Sequence, residues 1–487
     1  MRVPRQSHKE IIFRFPFFKD IAKFTMSNTS QLLVGGDDVN AVVIDYGSNS
    51  IRYGHAGEDA PTLCISTSLG VVDEILKATE AMEVDDVPRE KIIRDGNAEN
   101  INGNAAVPEA PSPAKKTRQY IVDPLALVNP RERMEIESDV IVDGMIENFE
   151  SFEAILEYAL KKHRPIDPTH HPLLFSEPLW NTSKKRELLC ELVFEKFQSS
   201  AFFTIKSPVL TCFAHGKSTG LVLDSGKIHT SAVAVHEGFC LGPTLVRSPL
   251  GGEFITTECR KELDKIKIDL TPQYLIKSKD VVDLDQPPKW TKKSNQPKAT
   301  PSFHELKVRS VVEDFKQVLT VSDAPLVDVN KDNLDSKEYE FPTGYHSLFG
   351  VERYQIPEYL FDPTQIRSAN PPQSSTLGVS NLIQNCLSIT DPDIRPQMWS
   401  NIIVSGGNSC IHGFLERVSA DCTRRSTSSM KLKCVVTAGG PERATERLFA
   451  PWTGGSILGS LGTFQNMWIS RNDYEETGKV VVAKKCP

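Results

Sequence analysis

The chain has 487 residues, 39% of them hydrophobic, which is too long for one hydrophobic core and ordinary enough in composition to build at least two lobes. A formal net charge of -7 and a pI near 6.0 exclude a general basic footprint for nucleic acid, so any such role would run through protein partners or local patches. The ten cysteines form no C-x-x-C pair, which argues against zinc and against a secreted disulfide framework in favour of a reducing cytosol or nucleus, and no apolar run reaches the roughly 18 to 20 residues of a membrane span.

In chain order, residues 1–38 read as an N-terminal extension, disordered and dispensable. Its first 25 residues are basic and aromatic. The run Ile11-Ile-Phe-Arg-Phe-Pro-Phe-Phe18 is broken by Arg14 and Pro16 and makes a poor signal peptide, while Met26 opens a polar lead-in as a natural start would. Ala41-Val-Val-Ile44 predicts a strand buried on both faces, from whose end Asp45-Tyr-Gly-Ser-Asn-Ser-Ile-Arg-Tyr-Gly-His-Ala-Gly57 emerges as an Asp followed by a small turn. No Phe, Trp or Tyr occurs between Tyr53 and Tyr120, and 82–118 gathers Pro88, Pro108, Pro111 and Pro113 among polar residues. Such a stretch buries little surface and is expected to be a mobile insert.

Glu150 to Leu160 carries apolar residues at helical spacing, His171-Pro-Leu-Leu-Phe175 reads as a short buried strand, and Lys184 to Phe197 as a further helix. Gly220-Leu-Val-Leu223 then repeats the theme of the first strand and runs into Asp224-Ser-Gly-Lys-Ile-His-Thr230. Polar stretches at 280–300, around Trp290, and at 330–340 are expected to be surface loops. Asn401-Ile-Ile-Val-Ser-Gly-Gly-Asn408 is again a strand ending in a Gly pair, with a helix expected over His412 to Val418. The alternation is that of an α/β protein. Taken singly, each Asp-Gly turn reads as an ordinary hairpin or as a place where backbone N–H groups meet phosphate; two of them together favour a two-lobed nucleotide-binding protein.

The two loops and the Gly pair occur in the order and rough spacing of the actin superfamily, which the chain resembles. The run Trp452-Thr-Gly-Gly-Ser-Ile-Leu-Gly-Ser-Leu-Gly-Thr-Phe-Gln-Asn-Met-Trp-Ile-Ser-Arg-Asn-Asp-Tyr474 is similar to the actin C-terminal segment almost residue for residue, and the ending Lys485-Cys-Pro487 is similar too. Coverage runs from about Val39 to the end, inserts aside. The resemblance implies an actin-like two-lobed fold, two duplicated ribonuclease-H-like domains in four subdomains with a nucleotide cleft between the lobes. It places subdomain 1 at 39–66, 138–214 and 450–487, subdomain 2 at 67–137, subdomain 3 at 215–247 and 376–449, and subdomain 4 at 248–375. Ser176-Glu-Pro-Leu-Trp-Asn-Thr182, Asp362-Pro363 after Ile356-Pro-Glu-Tyr-Leu-Phe361, the Trp290 insert and the Lys-Cys-Pro end resemble the fourth class of nuclear actin-related proteins. That class implies a nuclear subunit of chromatin-remodelling complexes, SWI/SNF among them, and of histone-acetyltransferase complexes.

Carried over residue by residue, the resemblance implies that Asp45 and Asp224 hold the Mg²⁺ of a bound ATP through water. Gly47 and Ser48 match the first phosphate turn, Ser225 and Gly226 the second, and Gly252, Lys316, Gly406 and Gly407 positions around the adenosine. Several departures weaken hydrolysis. Ser207 stands where the family places the Gln that orients the attacking water, and Arg52 replaces a phosphate-contacting Lys. Only Lys227 and Ile228 separate Gly226 from His229, two residues fewer than the family has. Gln317, Glu313 and Leu448 also differ from the family's residues, and His229 alone reads as a packed remnant. Turnover is expected to be slow or absent, with ATP a structural ligand that steadies the closed lobes.

The insert over 74–118 replaces the family's subunit-contact loop without an aromatic anchor, so self-polymerisation is not expected. A groove that accepts an amphipathic helix maps to Phe213, Gly216, Ser218, Ile457, Leu458, Leu461, Thr463 and Met467. The spacing of Ile457, Leu458 and Leu461 fits either that groove or an internal core. The implied partners are the helicase-SANT-associated helix of a remodelling ATPase, actin, other chromatin-complex subunits and histones, with no membrane; a cytoskeletal actin-like ATPase or filament-associated protein is the alternative.

Overall fold

The computed structural model describes residues 41–75, 116–163, 165–366, 376–425 and 444–486. The expected extension and almost all of the insert at 82–118 lie outside these residues.

Two sheets with the same wiring organise the chain. In the first, Val42–Tyr46 pairs antiparallel with Ser50–His55 and parallel with Leu173–Glu177, and Leu63–Ser66, Ala201–Lys206 and Ile469–Ser470 complete six strands. In the second, Gly220–Ser225 pairs antiparallel with Thr230–His236 and parallel with Ile402–Ser405. Both central strands are apolar runs buried on both faces, as parallel pairing under helices requires. The expectation of an α/β fold with two duplicated halves is met, and the predicted strands start or end within two residues of the observed ones.

The lobes meet along two helices. Ser207–Ala214 leaves the first sheet and packs against Ala444–Gly459. Their axes approach closely because the C-terminal helix presents Gly454 and Gly455 there; a Cβ on Gly454 would sit 1.8 Å from the Leu210 carbonyl oxygen. Beside them Trp452 is completely buried and donates its indole N–H to the Val43 carbonyl at 3.2 Å, the partner a buried Trp ordinarily finds. Each lobe has its own core, one around Phe152, Phe175, Phe202 and Trp452, the other around Phe315, Phe341, Leu382 and Phe414.

Three expectations change. Trp290–Lys292, in the polar stretch read as a loop, pairs with Ile276–Lys279, and Lys337–Glu340 pairs with His346–Phe349. Each hairpin buries only one or two apolar side chains, Ile276 in the first and Tyr339 and Phe349 in the second, too few for periodicity to give a sign of them. The expected helices over 150–160 and 184–197 form as Phe149–Glu157 and Ser183–Glu191, each followed by a wider π turn, Tyr158–His163 and Leu192–Lys196. Among the described residues no helix is long and apolar enough to cross a membrane.

Candidate functional site

Both Asp-bearing strands end at one cleft of about 650 Å³ between the lobes, within the range of about 300 to 1,000 Å³ of small-molecule sites. Its walls take in ten of the eleven residues expected to hold a nucleotide: Asp45, Gly47, Ser48, Arg52, Asp224, Gly226, Gly252, Lys316, Gly406 and Gly407. Ser225 is the exception. Its hydroxyl is fully buried, 2.8 Å from Thr230 Oγ1 and accepting from Asn408 Nδ2 at 3.1 Å. It therefore ties the second turn to the Gly-pair turn and does not line the cleft.

The duplicated wiring gives the two acids matched neighbours on one side. Ser176, from the strand parallel to the first central strand, donates its hydroxyl to Asp45, and Ser405, from the strand parallel to the second, donates to Asp224 Oδ1 at 3.1 Å. The antiparallel side breaks the symmetry. The register sets Arg52 directly opposite Asp45 but Ser231 opposite Asp224, and Arg52 Nη1 meets Asp45 Oδ2 at 2.5 Å. Burial raises the Asp224 carboxyl above the usual range, against the opposing pull of the Ser405 hydrogen bond and Arg52.

The Gly-pair turn is shaped by backbone demands. Gly406 has φ +91, and a Cβ there would lie 2.3 Å from the Ser225 carbonyl oxygen, so only glycine fits. Pro451, inside the C-terminal helix and on the cleft wall, has no N–H for the carbonyl of Arg447 four residues earlier. That carbonyl accepts instead from Gly406 N–H, at 3.4 Å. The second turn is short. Gly226 N–H is spent on the His229 carbonyl at 3.0 Å, and Gly252 N–H on the Gly226 carbonyl at 2.9 Å, so these two amides are committed to the turn.

Glu313, Gln317 and Leu448, three further departures from the family, also lie on the cleft wall. Arg309 sits with them and binds Glu253 through Nη1 at 2.7 Å and Glu313 through Nε at 2.9 Å. Ser207 also reaches the wall, at the start of its helix.

Sequence reasoning missed a latch across the lobes. Asp143 on the first lobe accepts from Arg247 on the second at 2.5 and 2.6 Å and lies 2.7 Å from His229 Nδ1. Trp180 donates its indole N–H to the Asp143 carbonyl at 2.8 Å, stacks edge-on with His229 and carries the Arg247 guanidinium 3.9 Å above its ring. Trp180 belongs to a segment quoted above only as a family mark; its position on the cleft wall has no sequence signal. Lys227, read above only as a spacer, sends Nζ across the cleft to the Ser48 carbonyl at 3.2 Å.

Burial, seconded by Arg247 and opposed by Asp143, lowers the His229 pKa from 6.5 to about 4. The unfolded chain therefore binds the proton first, and the stability of keeping the ring neutral is complete above the unfolded value and is lost as pH falls from about 6.5 towards 4. The expected result is that His229→Gln flattens the acid limb of a urea-midpoint-versus-pH curve in that window. An unchanged slope would remove His229 as its source.

Of the eight groove positions, Phe213, Leu458 and Leu461 are buried in the first lobe's core. Gly216, Ser218, Ile457 and Met467 are half-buried and Thr463 is exposed. For Leu458 and Leu461 the core alternative holds: Leu458 is on the inward side of the helix Ala444–Gly459, and Leu461, at the start of the turn Gly462–Met467, is buried beside it.

A comparison with known families matches the one described as Actin to residues 36–487. Among curated proteins, the chain is 36% identical to actin-related protein 4 of Arabidopsis thaliana over 469 residues, covering 93% of this chain and 100% of that one. It is 34% identical to the protein of the same name from Oryza sativa subsp. japonica, covering 93% and 100%, and 33% identical to that of Yarrowia lipolytica, covering 95% and 99%.

Proposed function

The chain belongs to the actin family, and from that premise we propose that it is a non-filamentous nuclear scaffold and regulatory subunit of chromatin-remodelling and histone-acetyltransferase complexes. In this reading it seats an amphipathic helix of the remodelling ATPase, the helicase-SANT-associated helix, beside a bound actin. Other subunits of those complexes and histones are further candidate partners. The similarity to proteins named actin-related protein 4 supports the choice of class. The observation that carries it is the division of the mapped groove into a buried floor and a half-exposed rim. Phe213, Leu458 and Leu461 lie beneath, while Ile457, Met467, Gly216 and Ser218 reach solvent, the apolar-and-small mixture that a helix laid in a groove requires.

ATP is read as a structural ligand of the cleft, with hydrolysis slow or absent. Ser207 supports this, since its hydroxyl stands on one carbon where an amide on a longer arm would have to position water, and a misplaced reactant costs on the order of a hundredfold in rate. Arg52 supports it as well, because a planar guanidinium is not a conservative exchange for the family's lysine at a tight site.

The test is affinity purification of the tagged chain from nuclear extract, beside a variant carrying Ile457→Asp and Met467→Asp, with mass spectrometry of the partners. These two positions reach the surface, whereas an Asp at Leu458 or Leu461 would be driven into the core. The parent is expected to recover a remodelling ATPase and actin, and the folded variant to lose the ATPase by about tenfold or more, the scale of a lost interface anchor. Recovery of filament proteins, or equal recovery by both chains, would overturn the proposal.

A further inference from the structure

Of the two acids at the base of the cleft, Asp45 is already met by a cation of the chain. Asp45 accepts on both carboxylate oxygens, from Arg52 on one and from the Ser176 hydroxyl on the other. Arg52 also helps to keep Asp224 charged, so its field reaches the second acid. From the second turn, the Lys227 ammonium holds the Ser48 carbonyl at 3.2 Å and so joins the two Asp-Gly turns. The Lys227 backbone cannot swing away, since its carbonyl accepts from Glu253 N–H at 2.6 Å. A Cβ on Gly251 would come within 2.6 Å of the same oxygen.

Magnesium in the role that the family resemblance implies is held through waters on carboxylate oxygens left free to take them. Both Asp45 oxygens are already spent, on Arg52 and on Ser176, so Asp45 does not fit that role. A polyphosphate has the opposite requirement, and the site meets it. An ammonium carries three hydrogens, of which the Ser48 carbonyl takes one. Arg52 Nε is buried without a hydrogen-bond partner, so its guanidinium is not saturated by Asp45. The neighbouring acids do not compete for Lys227, because Glu253 and Glu313 are both bound by Arg309. Charge-assisted bonds from an ammonium and a guanidinium are the strong ones for phosphate oxygens.

We propose that this cleft binds a nucleoside polyphosphate without a divalent cation, Lys227 and Arg52 supplying the positive charge that a metal would. The proposal rests on the reading of the cleft as a nucleotide site. The chain departs from its family here by charge reversal. The shortened second turn puts Lys227 where the resemblance implies an acid, while Arg52 keeps the positive charge of the lysine it replaces.

Isothermal titration of the full chain with ATP, once with magnesium chloride and once with excess EDTA, tests it. The expected dissociation constants agree within about threefold, and Lys227→Met weakens binding in EDTA by at least about tenfold while Lys227→Arg binds like the parent. Binding in magnesium alone would overturn the metal-free proposal and leave the nucleotide reading standing. Binding in neither condition would overturn both. Equal binding of parent and Lys227→Met in EDTA would remove Lys227 from the role, and circular dichroism establishes that the variants are folded.

Discussion

Gly454→Ala is expected to prevent stable folding. The added methyl would lie 1.8 Å from the Leu210 carbonyl oxygen, with the Leu210 carbonyl carbon and Cα at 2.5 and 2.9 Å. All three are backbone atoms of the helix Ser207–Ala214, so no side-chain rotation relieves the clash, and the two helices joining the lobes must separate. Ordinary overpacking costs about 1–3 kcal/mol, and a forced separation of backbones exceeds that against a total stability of about 5–15 kcal/mol. Two neighbours calibrate the measurement. At Gly455 the new methyl meets first the Val43 side chain, at 2.7 Å, and at Gly462 it meets nothing within 4 Å. Thermal melts followed by tryptophan fluorescence should therefore rank Gly462→Ala near the parent, Gly455→Ala lower, and Gly454→Ala lowest or unfolded. A Gly454→Ala chain that melts with the parent would contradict the close approach.

Arg417→Met carries the second large effect. The Arg417 side chain is 2% exposed and binds Glu358, 3% exposed, through two bonds of 2.7 and 2.8 Å. It also reaches Asp421 at 3.1 Å and the carbonyls of Ala324 and Ser322 at 3.0 and 3.3 Å, over the Phe361 ring. Methionine keeps much of the volume but leaves Glu358 buried without a counter-charge, which costs about 3–5 kcal/mol. The double variant Arg417→Met with Glu358→Leu should recover most of the loss, since a well-packed apolar pair replaces a buried ion pair at little cost. Urea midpoints of the single and double variants decide it. A double variant as unstable as the single one would point to the carbonyl and Asp421 bonds in place of the Glu358 pair.

These two predictions depend on different kinds of information. The Gly-Gly pair before Ser456 is visible in the sequence, but which of the two touches backbone is decided by how the helices cross. Arg417 and Glu358 lie 59 positions apart, and nothing in either local segment marks the other as its partner.

The sequence by itself determined the family, the α/β architecture and the two acids and the Gly pair of the cleft. Strand runs buried on both faces carry their own signal in Val42–Tyr46 and Gly220–Ser225, and an Asp-Gly turn at each strand end is local chemistry readable at one position. For that reason Asp45, Asp224 and the Gly406 pair reach the cleft as expected, while Gly252 and Lys316, which also line it, are expected there only from the resemblance to the family. Only the tertiary structure decided how the charges there are spent. The register places Arg52 and not a serine opposite one acid, and the meeting of the lobes brings Lys227 to Ser48 and Arg247 to Asp143. It also decided that Leu458 and Leu461 face inward, which their spacing left open. Periodicity identifies an apolar face, but what covers that face, and which charge meets which, depends on contacts between residues far apart in the chain.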